Sequence, residues 1–516
     1  MFYAHPYFWG VCSGILLALS FPKFNLFFLA WFALVPFIAA VRKSKKPFTV
    51  GYIFGLTFFS INLFWILTLT DYVGFWAVCG YLLLILFQAL FFGFAANLID
   101  NIFNHTPNLS ILLIPVAWCF FEWLRTLPPE INLSFMSGFI RDFNILLFDI
   151  TRDPKSKLPI ILNTPWKTIL TQFGISAGGV GYSQTAFRPL IQIATLFSGL
   201  GVSFFVLYVN TLLEQIHHIL TTTQKRSKEF KKKRIIKIAE VLLISIILYV
   251  SFGFHLIGNF NRIEKKSISP TISIIQGNID QKTKLSSKHT NSNFLKYEKL
   301  TKQAALKKPD IILWTETSVT SYLLRNDYLY NRISRLARST AATLIIGTPT
   351  KNNKNQIFNS LIAFSEYGED YASYNKEHLV AFGEYLPFRD YIYPLFKKLD
   401  FFKQEFTNDP KVQLITVDNL VFGPLICFES TLPYLSYNRV KLGANILLNV
   451  TNDAWFKNSS ALEQHLQMGI MRAVENRRYF IQAANTGISA VIDPTGAVLM
   501  KSKPNREEIL TFSLKL

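Results

Sequence analysis

The hydrophobic positions in the first half of the chain run in long, nearly unbroken stretches. Seven of them, each of roughly 17 to 25 apolar residues, are long enough for a helix to cross a bilayer. They cover residues 6–22, 25–41, 48–70, 73–99, 109–126, 188–214 and 236–257. The first lacks the basic start and the small-residue cleavage site of a signal peptide, and further stretches follow it directly. The pattern predicts a transmembrane domain of about seven helices over residues 1–258.

Residues 127–187 interrupt this pattern. They contain two apolar runs, at 139–150 and 158–175, but charged residues and a proline break these runs. Because a charge inside a membrane span is costly, neither run should cross the membrane alone. We therefore expect a long external loop over residues 127–187.

From about residue 259 the chain changes to short β-rich runs separated by polar helical stretches. The runs are TISIIQ, DIILWTE, TLIIGT, SLIAFS, VFGPLICFE, NILLNV and ISAVID. Helix candidates lie at 293–308, 328–340 and 461–478, and DPTG at 493–496 is typical of a hairpin turn. Strands that alternate with helices predict an α/β domain over residues 259–516.

Composition and charge agree with a membrane protein. Half of the 516 residues are hydrophobic, 48 are Phe, and the formal net charge is +20. Basic residues concentrate in RKSKK at 42–46 and KRSKEFKKKRIIK at 225–237, each between two apolar stretches. With a cytoplasmic N-terminus both clusters face the cytoplasm, which places the C-terminal domain outside. Binding to nucleic acid is disfavoured because no recognised nucleic-acid module accompanies either cluster.

Three titratable residues of the second domain follow predicted strands. They are Glu316 in ILWTETS, Lys376 in YNKEHLVAFGEY and Cys427 in PLICFES. Cys427 is the only cysteine of this half, and the other three all lie in apolar stretches. A lysine ammonium near a thiol lowers the thiol pKa, and a carboxylate can accept the proton. The combination predicts a cysteine nucleophile, with a lysine that could also stabilise an oxyanion.

The order of WTE, YNKEHLVAFGEYLPF, ICFES, NVTNDAWF, RAVENRR and NTGISAVIDPTG closely resembles the apolipoprotein N-acyltransferases, membrane members of the nitrilase superfamily. The resemblance covers nearly the whole chain. It implies a nitrilase-like α-β-β-α sandwich for residues 259–516. It also implies that Glu316 is the general base, Lys376 the catalytic lysine and Cys427 the nucleophile, supported by Glu384 and Glu429. No metal or organic cofactor is indicated.

The resemblance further implies a two-step acyl transfer. A membrane phospholipid donates a fatty acyl chain to Cys427 as a thioester, and the amine of the S-diacylglyceryl-cysteine at an apolipoprotein N-terminus then accepts it. This reaction is the last step of bacterial lipoprotein maturation, in the inner membrane with the catalytic domain in the periplasm. Because the catalytic domain is tied to membrane helices, acyl chains need not pass through water, which would cost about 0.8 kcal/mol per CH₂.

Several other residues are candidates for supporting roles. Trp455 and Phe456 in TNDAWF could line the acyl pocket, although plain core packing explains them equally well. His465 is expected to be structural, because no second His or Cys stands at metal-ligand spacing. Glu122 and Arg125, in CFFEWLR near the outer end of the fifth stretch, could serve a lipid entry path.

The sequence also departs from the family pattern. Leu285 follows Lys284 where the family commonly has tryptophan, and Phe428 follows Cys427 where tyrosine is usual. The final helix that usually follows the catalytic domain has no counterpart before Leu516. A membrane-tethered nitrilase or amidase acting on a small amide is therefore the main alternative. A non-catalytic scaffold or transporter is disfavoured because Glu316, Lys376 and Cys427 are all present.

Overall fold

The computed structural model describes residues 5–126, 177–222, 227–263, 270–387, 389, 393–394 and 405–514. Residues up to 263 form a bundle of helices, and residues from 270 onward are built on β-sheets. The helices of the bundle are α1 (Pro6–Leu19), α2 (Ala30–Ala33), α3 (Val35–Lys43), α4 (Pro47–Asn62), α5 (Thr70–Val73), α6 (Phe75–His105), α7 (Ser110–Leu124), α8 (Arg188–Ile191), α9 (Ala194–Thr221) and α10 (Lys228–Ile263).

Four helices of the described residues are long and apolar enough to cross a membrane: Phe75–His105, Pro107–Leu124, Ala194–Thr221 and Lys228–Phe260. A further candidate is the pair Pro47–Asn62 and Phe64–Val73, which is bent by 51° at its break. The first two predicted stretches form shorter elements, α1 with 14 residues and α2 and α3 behind a 3₁₀ turn. The number of seven spans stays a prediction, and residues 127–176 of the predicted external loop lie outside the described residues.

Small residues allow the bundle helices to approach closely. A Cβ atom on Gly51 of α4 would lie 2.2 Å from the carbonyl oxygen of Phe92 in α6, so a larger side chain would separate these helices. Around this contact, buried aromatic rings interlock, and the rings of Phe92 and Trp118 stack with centroids 4.7 Å apart. Between helices in lipid, such packing supplies the attraction that hydrophobic burial supplies in water.

Two six-stranded sheets make up the described part of the second half. The first has the order β12-β1-β2-β3-β4-β5 and the second the order β11-β10-β9-β8-β7-β6. The strands are β1 (Thr271–Gln276), β2 (Ile311–Leu313), β3 (Thr343–Lys351), β4 (Ile357–Phe364), β5 (Asp370–Asn375), β6 (Ile415–Val417), β7 (Leu420–Ile426), β8 (Ile446–Thr451), β9 (Tyr479–Ala484), β10 (Ala490–Ile492), β11 (Val498–Lys501) and β12 (Glu508–Ser513). In each sheet three central strands are parallel, namely β1-β2-β3 and β7-β8-β9.

The sheets pack face to face and carry helices on their outer faces. Ile274 and Leu313 of one sheet and Leu448 and Ile481 of the other share one buried core. The helices are α11 (Gln281–Leu285), α12 (Thr290–Ala305), α13 (Asp327–Thr340), α14 (Pro433–Lys441) and α15 (Ala461–Asn476). α12 and α13 cover the first sheet, and α14 and α15 cover the second. The predicted α-β-β-α sandwich is therefore confirmed.

Most of the predicted elements of this half are present. The three predicted helices correspond to α12, α13 and α15, and the predicted turn at 493–496 joins β10 to antiparallel β11, with Gly496 at φ +84°. The strand expected in DIILWTE is only three residues long. The sequence patterns did not reveal β5, β6, β9 and β11.

The helical bundle meets the sandwich through α15. Ser198 Oγ and the Gly199 amide, near the start of α9, donate to Glu475 Oε1 at 2.6 and 2.9 Å. Arg472 of α15 donates from Nη2 to the Tyr182 hydroxyl at 3.0 Å. These charge-assisted contacts tie the bundle to the outer layer of the second sheet.

The two ionisable residues near the end of α7 fix the segment that returns from the undescribed region. Glu122 Oε1 accepts a hydrogen bond from the Val180 amide at 2.6 Å, and Arg125 Nη1 donates to the Ala177 carbonyl at 3.0 Å. Both side chains are buried. Through these contacts Glu122 and Arg125 anchor residues 177–180. A role for the two residues in a lipid entry path stays a prediction.

Candidate active site

Three of the predicted site residues lie just beyond the ends of strands. Lys376 and Cys427 directly follow β5 and β7, and Glu316 lies three residues after β2. β2 and β5 belong to the first sheet and β7 to the second, so the site draws on both sheets of the sandwich. At the carboxyl ends of strands the backbone leaves the ladder, and side chains there can converge on a cleft.

Glu316 and Lys376 form the acidic and basic centre of the site. Lys376 Nζ lies 2.8 Å from Glu384 Oε2 and 4.0 Å from Glu316 Oε1. The Asn359 side-chain amide bridges the two carboxylates, donating to Glu316 Oε1 at 2.8 Å and to Glu384 Oε1 at 3.0 Å. Glu384 Oε2 also accepts from the Val380 amide at 2.8 Å. The ammonium is thus held between two fixed carboxylates.

Burial and neighbouring charges act in opposite directions on the pKa values of Lys376 and Glu316. Burial by itself lowers the pKa of Lys376, but the carboxylates of Glu384 and Glu316 outweigh it and raise that pKa above its ordinary value. The pKa of Glu316 is raised, chiefly by burial and further by Glu384, against the lowering effect of Lys376. Lys376 therefore remains an ammonium, while Glu316 becomes a better proton acceptor than an exposed glutamate.

Cys427 opens the 3₁₀ turn Cys427–Thr431 with a left-handed backbone, φ +55°. Non-glycine residues rarely adopt this conformation, and it is frequent at functional sites. Burial raises the pKa of the Cys427 thiol and Glu316 raises it further, whereas Lys376 lowers it. The net shift is upward, so the resting group is a thiol rather than the thiolate expected from the lysine alone. Attack by sulfur must accordingly be coupled to loss of the proton to a base.

Glu429 supports the site from beneath the nucleophile. It is fully buried, and its Oε1 accepts from the amides of Glu377 and His378 at 2.8 and 2.9 Å. Its Oε2 accepts from the Ile426 amide at 2.7 Å, and the Tyr374 hydroxyl donates to both oxygens. The carboxylate ties the residues after Lys376 to the residue before Cys427. Glu429 thereby affects the site by fixing the backbone next to Lys376 and Cys427.

One lysine of the site was not among the predicted residues. Lys284 is buried, and its Nζ donates to the backbone carbonyl of Glu316 at 2.7 Å. Burial lowers the pKa of Lys284 to about 8, against the opposing effect of Glu316 and Cys427. Its position eight residues after β1, which lies parallel beside β2, is the signal that could have revealed it.

Comparisons with known proteins cover both halves of the chain. Residues 271–516 match the carbon-nitrogen hydrolase family, and residues 13–137 match the apolipoprotein N-acyltransferase N-terminal domain. The apolipoprotein N-acyltransferase of Geobacter metallireducens is 29% identical, covering 99% of this chain and 89% of its own length. That of Pasteurella multocida is 26% identical over 98% of this chain and 89% of its own length. Over nearly its full length the chain is therefore similar to apolipoprotein N-acyltransferases.

Solved structures resemble the second half of the chain. Saccharomyces cerevisiae Nit3, a member of the nitrilase superfamily, is 18% identical, covers 48% of this chain and 90% of its own, and has a TM-score of 0.38. A carbon-nitrogen hydrolase of Helicobacter pylori is 19% identical, with coverages of 48% and 89% and the same TM-score.

Trp455 and Phe456 lie where the sandwich meets the helical bundle. They belong to the 3₁₀ turn Asp453–Phe456, which follows β8 as expected for TNDAWF. The Trp455 ring contacts Tyr72 with centroids 5.0 Å apart, and the Phe456 ring contacts Trp65 at 4.9 Å. Both rings are half-buried. Binding of an acyl chain by these rings stays a prediction.

The remaining candidates have simpler placements. The Phe428 ring stacks on His378 with centroids 6.1 Å apart, and Leu285 ends the short helix α11. His465 is buried behind the nucleophile turn and within hydrogen-bonding distance of the Cys427 carbonyl. Among the described residues, no group of three or more His, Cys, Asp and Glu side chains could hold a metal ion.

Proposed function

We propose that this protein transfers a fatty acyl chain from a membrane phospholipid, through a thioester on Cys427, to the N-terminal amine of an S-diacylglyceryl-cysteine apolipoprotein. The observation that carries the proposal is the buried arrangement of Lys376 between Glu316 and Glu384, close enough to Cys427 for its charge to act on the thiol. It occurs in a chain whose residues 13–137 match the apolipoprotein N-acyltransferase N-terminal domain and whose residues 271–516 match the carbon-nitrogen hydrolase family.

In the first half-reaction Glu316 takes the proton of the Cys427 thiol as the sulfur attacks the ester carbonyl of the phospholipid. The negative charge that develops on the carbonyl oxygen is stabilised by the Lys376 ammonium, which the flanking carboxylates keep protonated. When the tetrahedral intermediate collapses, the glycerol oxygen leaves with the proton held by Glu316. Lysophospholipid and the Cys427 thioester are the products.

In the second half-reaction the acceptor amine attacks the thioester. Glu316, again ionised, removes a proton from the amine as the nitrogen–carbon bond forms, and the sulfur leaves to be reprotonated as the thiol. Lys376 stabilises the second oxyanion in the same position. Exclusion of water matters here because hydrolysis would release the fatty acid instead of transferring it.

The turn Asp453–Phe456, which contacts the helical bundle, supports a lipid substrate. Thr68, in the bent pair of helices, donates from Oγ1 to the Trp455 carbonyl at 3.3 Å, and the rings of Trp455 and Phe456 face Tyr72 and Trp65. These rings lie beside the break of a candidate membrane span. We assign Trp455 and Phe456 to the surface along which an acyl chain passes from the bilayer to Cys427.

The distribution of charge supports a periplasmic catalytic domain in the bacterial inner membrane. Arg42, in the first basic cluster, pairs with Glu214 near the end of α9 at 3.2 Å. Lys231, in the second cluster, donates to the Thr222 carbonyl at the same end of α9. The sandwich contacts the opposite end, at Ser198 and Gly199. Both basic clusters therefore lie on the side away from the catalytic domain, as the positive-inside rule requires for a cytoplasmic side.

Transfer to an acceptor tests the proposal. Protein reconstituted in phospholipid vesicles is incubated with a synthetic S-diacylglyceryl-cysteine peptide, and the product is analysed by mass spectrometry. We expect the peptide to gain one fatty acyl mass with wild type and with Cys79→Ser, a matched control in an apolar helix, but not with Cys427→Ser. Release of ammonia from small amides without acylation of the peptide would contradict the proposal and favour a membrane-tethered amidase.

A further inference from the structure

A buried polar network lies behind the nucleophile turn and outside the Glu316–Lys376–Glu384 cluster. His465 of α15 faces the Asp453 carboxylate on one side, with Nδ1 3.1 Å from Oδ1. On its other side Nε2 lies 2.8 Å from Ser430 Oγ and 3.2 Å from the carbonyl oxygen of Cys427. Both ring nitrogens therefore face groups of the site, and one of these is the peptide group of the nucleophile itself.

The hydrogen-bond chemistry favours a ring protonated on both nitrogens. Carboxylate and carbonyl oxygens only accept, so Nδ1–H toward Asp453 and Nε2–H toward Cys427 satisfy both partners. Ser430 Oγ donates to the same carbonyl at 2.9 Å, which leaves its lone pair for Nε2–H. Asn449 Nδ2 lies 3.4 Å from Nε2, at the long limit of a hydrogen bond, and has a different acceptor, Gln482 Oε1, at the same distance.

The Asp453 carboxylate also requires a positive partner. Asp453 is 1% exposed, and buried charges are retained in proteins chiefly when they are paired. Thr451 Oγ1 donates to its Oδ1 at 2.9 Å, but a hydroxyl brings no charge. Burial lowers the pKa of His465, but the Asp453 carboxylate, the backbone carbonyl of Cys427 and the Glu316 carboxylate together raise that pKa above its ordinary value. Each of these three groups comes from a different loop.

We propose that Asp453 and His465 are a positioning pair for the nucleophile, in which the imidazolium holds the left-handed turn at Cys427 and cancels a carboxylate charge that would oppose thiolate formation. The inference rests on the proposed role of Cys427. It assigns His465 a function beyond filling the core, because the charge of the ring and not only its shape acts on the sulfur.

The charges at the site give the sign of the effect. The pKa of Cys427 is raised first by burial, then by Glu316, and Asp453 adds to the same direction. Replacing His465 by an uncharged side chain leaves Asp453 without its counter-charge. The thiolate fraction of Cys427 at a given pH should then fall. Removing the Asp453 charge in the same molecule should restore it.

The test measures alkylation of Cys427 by iodoacetamide in the full-length protein in detergent, followed by peptide mass spectrometry. Below the thiol pKa the rate is proportional to the thiolate fraction, so one pH unit corresponds to about tenfold in rate. We expect His465→Gln to slow alkylation of Cys427 about tenfold. The double variant His465→Gln with Asp453→Asn should return to within about threefold of wild type. Cys79 in the same sample is the internal control.

Other outcomes would overturn the proposal. If His465→Gln leaves the rate unchanged, or if the double variant is as slow as the single one, the ring acts through packing alone. If His465→Gln does not fold, Asp453→Asn is the second variant to measure. It preserves the shape of the pair but removes the charge that keeps the ring protonated. Because burial lowers the pKa of the ring once the Asp453 charge is gone, a new step below pH ~6.5 is then expected in the alkylation profile, and a profile without it contradicts the proposal. Alkylation needs no phospholipid, so this result is independent of whether Cys427 carries an acyl group.

Discussion

Burial determines how protons must move among the central side chains. The pKa values of the Cys427 thiol and of the Glu316 carboxylate are both raised, so a neutral thiol faces a carboxylate that binds a proton more readily than an exposed glutamate does. Transfer from Cys427 to Glu316 therefore does not require a free thiolate before the lipid arrives. Lys376, which keeps its proton, is suited to oxyanion stabilisation and not to general base catalysis. These assignments give predictions for single residues.

Glu384 should control acylation through Lys376. In Glu384→Gln the ammonium loses the partner 2.8 Å away, and the Asn359 bridge loses one carboxylate. We expect the rate of Cys427 acylation in a single turnover to fall about 10²-fold, the usual effect of disturbing an oxyanion donor. The exposed Glu366→Gln is the matched control and should react at the wild-type rate. A Glu384→Gln enzyme as fast as the control would exclude this role.

Lys284 should shift the pH dependence of acylation. Its ammonium lowers the pKa of Glu316, so Lys284→Met should raise that pKa further. Because acylation requires ionised Glu316, the acid limb of the rate profile should move upward by about one pH unit, with activity lost first at low pH. Lys282→Met, an exposed lysine on the same short helix, should leave the limb in place. An acid limb that stays in place or moves downward in Lys284→Met would be inconsistent with the geometry.

At the scale of elements, the ends of strands explain what could be predicted from sequence. TISIIQ and NILLNV are continuous apolar runs, and they form β1 and β8 over nearly the same residues. β5, with the sequence DYASYN, lies at a sheet edge and is partly exposed, so its polar residues obscure it. Cys427 was identifiable because an apolar strand ends directly before it. Lys284 and Asn359 were not identified as site residues, since their partners Glu316 and Glu384 lie at least 25 residues away in sequence.

Glu429 should stabilise the fold by joining the loop after Lys376 to the end of β7 and the turn at Cys427. Replacement by Gln removes the charge. It also places an amide nitrogen, which is a donor, opposite backbone N–H groups that in the wild type donate to a carboxylate oxygen. Leaving a buried donor unsatisfied costs about 1–3 kcal/mol. We expect Glu429→Gln to lower the Tm of the detergent-solubilised protein by about 5 °C. Glu463→Gln removes only the exposed pair with Lys501 and should lower Tm little. Equal Tm values for the two variants would refute this stabilising role.

At the scale of the whole molecule, the bundle and the sandwich form one working unit. α15 carries His465 toward the nucleophile, and Arg472 and Glu475 toward the bundle. Gln464 of the same helix accepts from Trp65 and donates to the Asn62 carbonyl, at the break of the bent pair of helices. A single helix thus connects the membrane part to the turn that holds Cys427. This arrangement could not be derived from sequence, because the bundle residues in these contacts lie 277 to 402 residues away from their partners on α15.

The proposed orientation predicts which surfaces are accessible from outside the cell. In a protein with its native cysteines replaced by serine, Lys354→Cys lies on an exposed turn of the sandwich and Lys45→Cys lies in the first basic cluster. A membrane-impermeant maleimide applied to intact spheroplasts should label Lys354→Cys. It should label Lys45→Cys only after lysis. The reverse pattern would contradict a periplasmic catalytic domain.

The central claim is that Cys427 carries the acyl group. The most direct measurement is the intact mass of the purified protein after incubation with phospholipid alone. We predict that wild type gains one fatty acyl mass, that hydroxylamine removes it, and that Cys427→Ser lacks a hydroxylamine-labile adduct. A wild-type protein that stays unmodified, under conditions in which an apolipoprotein N-acyltransferase is acylated, would contradict the account.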